Sequence, residues 1–142
     1  SIKASFYTPI KLELTNTSNA QTVKYRLRYD ADLGLPIYLE LNKKEQQGGF
    51  GINEVREEFS LNSVLADLPG LFGWTKDSEL KEIARNTDEI NMTHIRYQQV
   101  LNGKNVKGGQ WILHLINGEV QSGSGRIYPS YAVNTENNIG RP

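Results

Sequence analysis

Gln110-Trp111-Ile112-Leu113-His114-Leu115-Ile116-Asn117-Gly118-Glu119-Val120 is the stretch that decides the fold class. A nearly continuous apolar run centred on Trp111 meets Asn117-Gly118, the dipeptide best suited to the positive φ angles of a type I′ turn. Residues 119 to 128 then return as a second strand, so an antiparallel hairpin is expected. Upstream, residues 93 to 101 alternate Ile95, Tyr97 and Gln99 against His94, Arg96 and Gln98, which marks a strand with one buried face. It should pair with 110 to 116. The connector Asn102-Gly103-Lys104-Asn105-Val106-Lys107-Gly108-Gly109 is long for a tight hairpin and predicts a bulge or protruding loop rather than a two-residue turn.

Towards the N-terminus, Val23, Tyr25, Leu27 and Tyr29 alternate with Lys24, Arg26 and Arg28, which predicts a strand with an apolar face and a cationic one. The turn chemistry of residues 30 to 34 and the alternation from Ile37 to Leu41 make this a second hairpin. Residues 1 to 19, with Ile10, Leu12 and Leu14, suggest an edge strand or a loose arm. Between the two strand-rich parts, Leu61, Val64, Leu65 and Leu68 share one helix face and Ser60 is a good N-cap. The helix should occupy about residues 53 to 68, with Pro69-Gly70 interrupting or ending it. Residues 77 to 85 are ambiguous. Leu80, Ile83 and Ala84 fit helical spacing, and Leu80, Glu82 and Ala84 fit a short strand. One core is expected from Leu61, Val64, Leu65, Leu68, Phe72, Tyr97, Trp111 and Leu113.

The chain has 142 residues, with Lys+Arg 16 against Asp+Glu 16 and no cysteine. That length supports one real hydrophobic core. The missing cysteines exclude thiolate catalysis, disulfides and Cys-ligated zinc. The charge balance lacks the basic excess of a nucleic-acid binder, and no apolar run approaches the ~20 residues of a membrane span. Neither nucleic acid nor membrane is an expected partner.

Self-contained zinc-peptidase chemistry needs His-Glu-x-x-His, and neither His94 nor His114, the chain's two histidines, begins such a motif. A cross-strand His94/His114 metal pair requires a register that the connector leaves undecided. The default for both is an ordinary sheet histidine, and no metal is expected. The glycine clusters 48–51 and 123–125 lack the Gly-Lys-Ser/Thr ending of a phosphate loop and are read as turns or bulges. Glu54, Glu57 and Glu58 suggest a solvated helix face. Asn16-Thr17-Ser18 and Asn91-Met92-Thr93 satisfy the glycosylation sequon.

The run 93–103, followed by Val106, Gly108, Trp111-Ile112-Leu113-His114, Asn117-Gly118-Glu119-Val120 and Gly125-Arg126, resembles the fungalysin/thermolysin propeptide domain. Leu71-Phe72-Gly73-Trp74 and Glu79-Leu80-Lys81 fit the same pattern. Asn105 departs from it, since the family has proline there. The resemblance spans about residues 50 to 128 and favours a strand over 79 to 88. It implies the pro-region of a secreted thermolysin-like zinc metallopeptidase, acting as intramolecular chaperone and inhibitor without catalysis of its own. The implied partners are the cognate catalytic domain and an adjacent pro-region module. The implied setting is secreted, periplasmic or extracellular, with the signal peptide already removed.

No cofactor is expected in this chain; zinc, with calcium as a further candidate, belongs to the parent catalytic domain. The expected fold class is α+β, an antiparallel sheet, meandering in its second half, packed on one main helix in a cystatin-like arrangement. The expected organisation is N-terminal strands or arm at 1–49, the propeptide-like domain at 50–128, and a polar linker at 129–142. His94, Arg96, Tyr97, Gln99, Gly103, Trp111 and His114 are the candidates for family-motif or partner-contact roles. The rival readings are a free-standing interaction or protease-inhibitor module of the same fold, and a small hydrolase using an unrecognised acid/base pair.

Overall fold

The computed structural model describes residues 23–43, 55–75 and 77–129. The expectations for an N-terminal arm, the sequon at Asn16, the glycine run 48–51, Glu54 and the polar tail fall outside them. The order is β1 (Tyr25–Tyr29), β2 (Pro36–Leu41), a single 3-10 turn (Glu57–Phe59), α1 (Leu61–Phe72), β3 (Ser78–Thr87), β4 (Met92–Leu101), β5 (Lys104–Ile116) and β6 (Glu119–Arg126). The six described strands form one antiparallel sheet in the order β1-β2-β6-β5-β4-β3. The second half is therefore a meander, β1 and β2 join it through β6, and the expected α+β class holds.

One face of the sheet is apolar because strand alternation puts Tyr25, Leu27, Leu39, Ile95, Tyr97, Trp111 and Leu113 on the same side, all buried. Helix α1 packs there with Val64, Leu68 and Phe72, and Leu61 and Leu65 pack half-buried at its margin. The expected core residues all contribute. Trp111 is the keystone: the Phe72 ring meets it edge-on at 5.0 Å. A Cβ at Gly123 would lie 2.7 Å from its indole nitrogen, so only glycine leaves space for it.

The structure corrects four expectations. Helix α1 starts at Leu61, not near residue 53: Ser60 Oγ accepts the N–H of Ser63, and the residues before it form the 3-10 turn. It also runs through Pro69-Gly70 to Phe72. Pro69 removes one hydrogen bond near the helix end, while its carbonyl accepts the Trp74 N–H at 2.9 Å and that of Gly70 accepts the Gly73 N–H. With Gly73 at φ 68°, these close the last turn as a Schellman cap, and burial of Phe72 rewards the extra turn. Third, Lys24 leaves the cationic strand face: its ammonium lies 2.8 Å from Asp67 and 3.0 Å from Ser63 Oγ, both on α1. Fourth, β4 and β5 are joined by a two-residue turn, Asn102-Gly103, with φ of 52° and 80°. The expected irregularity is a bulge inside the strands, where Gln99 alone opposes residues 106–109.

Residues 78–87 are strand, as the resemblance favoured over the helical spacing. β3 is an edge strand, nearly all of it exposed, and Ile83 sits at a register shift. Pairing with β4 decides its conformation, against the helix propensity of its side chains.

Candidate functional site

The seven candidate residues separate by sheet face. Tyr97, Gln99, Gly103 and Trp111 build the fold. Gln99 is fully buried, and its amide grips the chain beyond β6 at two points: Nε2 donates to the Tyr128 carbonyl at 2.8 Å, and Oε1 accepts the Tyr128 N–H at 3.0 Å. Trp74 Nε1 donates to the same carbonyl. Next to it, Gln98 Nε2 serves the carbonyls of Gln99, Val106 and Gly109, so the bulge is closed by a buried side-chain amide. A Cβ at Gly109 would come within 2.6 Å of Gln99 Oε1, so the bulge depends on that glycine. Gly103 serves the turn. Tyr97 and Trp111 are cross-strand neighbours in the core, and Tyr97 Oη and Trp111 Nε1 are buried with no hydrogen-bond partner among the described residues. Burial pushes the Tyr97 phenol up to about 12.

His94, Arg96 and His114 lie on the other face, away from α1. The register sets His94 directly opposite His114 and Arg96 opposite Ile112. With Ala84 and Asn86 of β3, these four line a depression of about 260 Å³. The two imidazoles meet edge to face, Nδ1 to Nδ1 at 2.7 Å. His94 Nε2 lies 2.8 Å from Asp88 Oδ2. Asp88 belongs to the β3–β4 turn, where its other oxygen accepts the N–H groups of Ile90 and Met92. The hydrogen bond from His94 and that from Met92 hold the Asp88 carboxyl below its ordinary range. Burial, and then the charge of His94, push the His114 imidazole down, so His114 favours its neutral form. Arg96 Nη1 donates to Gln110 Oε1 at 3.1 Å across the strands. The same face continues over β2 and β1 with Tyr38, Glu40, Arg26 and Arg28. Arg26 is 3.8 Å from Glu40, and Arg28 stacks on the Tyr38 ring at 5.9 Å.

Sequence reasoning missed Asp88 and a second polar cluster at Glu119. Asp88 gains meaning only when the 87/93 and 94/114 pairings are known together. Glu119, at the start of β6, accepts from Arg56 Nε, Nη2 and backbone N–H and from Lys43 Nζ. The hydrogen bonds of Arg56, above all, pull its carboxyl down to about 2. The cluster ties the chain on either side of residues 44–54 to the sheet, a long-range contact with no signature in spacing.

Compared with known families, residues 78–127 match the model described as the Fungalysin/Thermolysin Propeptide Motif. The match begins at the first residue of β3 and ends one residue past β6. It thus covers the meander and leaves α1, β1 and β2 outside. No curated protein matches the chain.

Proposed function

We propose that this chain, whose meander carries a fungalysin/thermolysin propeptide motif, is pro-region of a secreted zinc metallopeptidase and works by binding that enzyme's catalytic domain. The observation that carries the reading is the coincidence of the matched segment with four consecutive strands. In this reading the chain does no chemistry itself. It acts as template and brake: a peptidase whose folding barrier is too high to cross alone is helped by a partner that binds its folding transition state, and the bound partner then delays activity.

The fold supports a division of labour between its faces. The face under α1 is spent on the core. The opposite face carries Arg26, Arg28, Arg96, the histidine pair, Tyr38 and Glu40, half-buried or exposed, and offers a mixed aromatic surface, more cationic than anionic, for a standard interface of about 800 Å² per partner. We place the contact with the catalytic domain there, and the cognate enzyme is expected to present acidic groups to it. No described helix is long and apolar enough to cross a membrane, and we assign the chain to the secreted or extracellular setting of such peptidases.

The test is a titration of the separate chain against the mature catalytic domain encoded in the same reading frame, scored for binding and for turnover. Saturable binding accompanied by slowed turnover supports the reading. Absence of binding favours a free-standing module.

A further inference from the structure

We propose that His94 and His114 form a two-nitrogen binding site for a divalent transition-metal ion of the copper(II) or nickel(II) kind on the open face of the sheet. The starting point is register: the two residues are directly opposed across β4 and β5, and their Nδ1 atoms stand 2.7 Å apart. Two imidazole nitrogens bound about 2.0–2.1 Å from one metal, at right angles to each other, are about 2.9 Å apart. The neighbouring positions of a tetragonal ion thus need a separation that the pair already has to within a few tenths of an ångström. Tetrahedral zinc needs about 3.3 Å and a wider opening. Rotation of the His114 ring about χ2, a broad torsion, swings its Nδ1 off the axis of the His94 lone pair, so that a metal can take that position while His94 stays in place.

Asp88 is the second, independent observation. Its carboxylate faces His94 Nε2 at 2.8 Å and is itself fixed by two backbone N–H groups. A neutral His94 that donates Nε2–H to this carboxylate carries its lone pair on Nδ1, the nitrogen facing His114. This is how metal-binding histidines are supported: a carboxylate holds the far N–H, sets the tautomer and raises the basicity of the near nitrogen. Without metal, and with both rings neutral, His114 Nδ1–H donates to that lone pair. On binding, the metal replaces this proton, two nitrogen–metal bonds form, and the His114 proton moves to its Nε2 by exchange with water.

The adjoining depression gives water or another small ligand access to the remaining coordination positions. Asp88 acts behind the ligands and not as one, and no group of three or more metal-ligating side chains occurs among the described residues. Two protein ligands, half the number of a structural zinc centre, make an exchangeable site with affinity in the micromolar range.

The chain contains two histidines in all, so imidazole ligation can be assigned directly. The test is titration of the whole chain with copper(II) sulfate in a non-coordinating buffer, followed by calorimetry and by pulsed electron paramagnetic resonance. We expect one copper per chain with two imidazole nitrogens in its coordination sphere. His114→Gln should leave at most one imidazole and weaken binding at least about 10-fold; Asp88→Asn, which keeps both ligands, should weaken it by about 10-fold or more. Circular dichroism of the metal-free variants checks that the sheet is intact. Should His114→Gln fail to fold, the spectrum of the parent chain and the Asp88→Asn affinity decide alone. A parent spectrum with fewer than two imidazole nitrogens, or His114→Gln affinity equal to that of the parent, would overturn the proposal.

Discussion

Replacing Glu119 with Gln removes one negative charge and turns one acceptor oxygen into an NH₂ donor. The carboxylate now receives Arg56 Nη2 at 2.8 Å and Lys43 Nζ at 3.2 Å on Oε1, and Arg56 Nε at 3.1 Å and Arg56 N–H at 2.8 Å on Oε2. Whichever way the amide turns, one of these pairs of donors faces a donor. The Glu119 side chain is 11% exposed, so water cannot fully replace what is lost. Charge-assisted hydrogen bonds contribute about 1.5–3 kcal/mol each, so the substitution should cost about 2–4 kcal/mol at neutral pH. For a domain of this size that lowers the melting temperature by roughly 6–15 °C.

The pH dependence gives a sharper check. The carboxyl falls from its ordinary 4.5 to about 2 in the folded protein. A depressed carboxyl stabilises the fold fully above its unfolded value and loses that contribution as pH falls through the folded one. The contribution, up to about 3 kcal/mol, should therefore fade between about pH 4.5 and pH 2. Urea unfolding of parent and variant from about pH 7 to pH 3 should show their difference shrinking by more than half. Equal stability at neutral pH, or a difference that does not change with pH, would refute the assignment of Glu119 as a clamp.

Three further outcomes are expected. Gly118 has φ 84°, and a Cβ there would lie 3.0 Å from Val55 Cγ2, so Gly118→Val should destabilise by about 1–2 kcal/mol; a thermal melt equal to the parent's would contradict the turn assignment. Leu68 is fully buried and Leu65 half-buried, so Leu68→Ala should cost about 2–5 kcal/mol and Leu65→Ala clearly less, with chemical denaturation giving the order. A Cβ on Gly125 would sit 2.1 Å from the Gln110 carbonyl oxygen, so Gly125→Ala should displace β6 and destabilise by more than about 2 kcal/mol, visible as lost amide protection in hydrogen exchange.

What the sequence revealed, and what it hid, follow from the range of the forces involved. Asn117-Gly118 was legible because a type I′ turn is a property of two adjacent residues, and their φ angles of 51° and 84° match it. Asn102-Gly103 carries the same dipeptide, yet the glycines that follow it hid the turn. What makes them strand is Gln98, whose amide closes the bulge from the neighbouring strand. Helix α1 was legible by its apolar face, whereas its end was misplaced because Pro69 is a local signal and the Gly73 cap with Phe72 burial is a tertiary one. β3 was undecidable from pattern alone: an edge strand with exposed side chains need not alternate. The meeting of His94 with His114 was hidden for the same reason as the bulge, since one uncertain register moves every cross-strand partner.

The most direct test of the central claim is refolding. The catalytic domain of the cognate peptidase is unfolded in denaturant, diluted into buffer with or without this 142-residue chain, and assayed once the chain has been removed by proteolysis. Recovered activity should rise with added chain and saturate near one equivalent, while the peptidase alone recovers little. Equal recovery with and without the chain would contradict that claim.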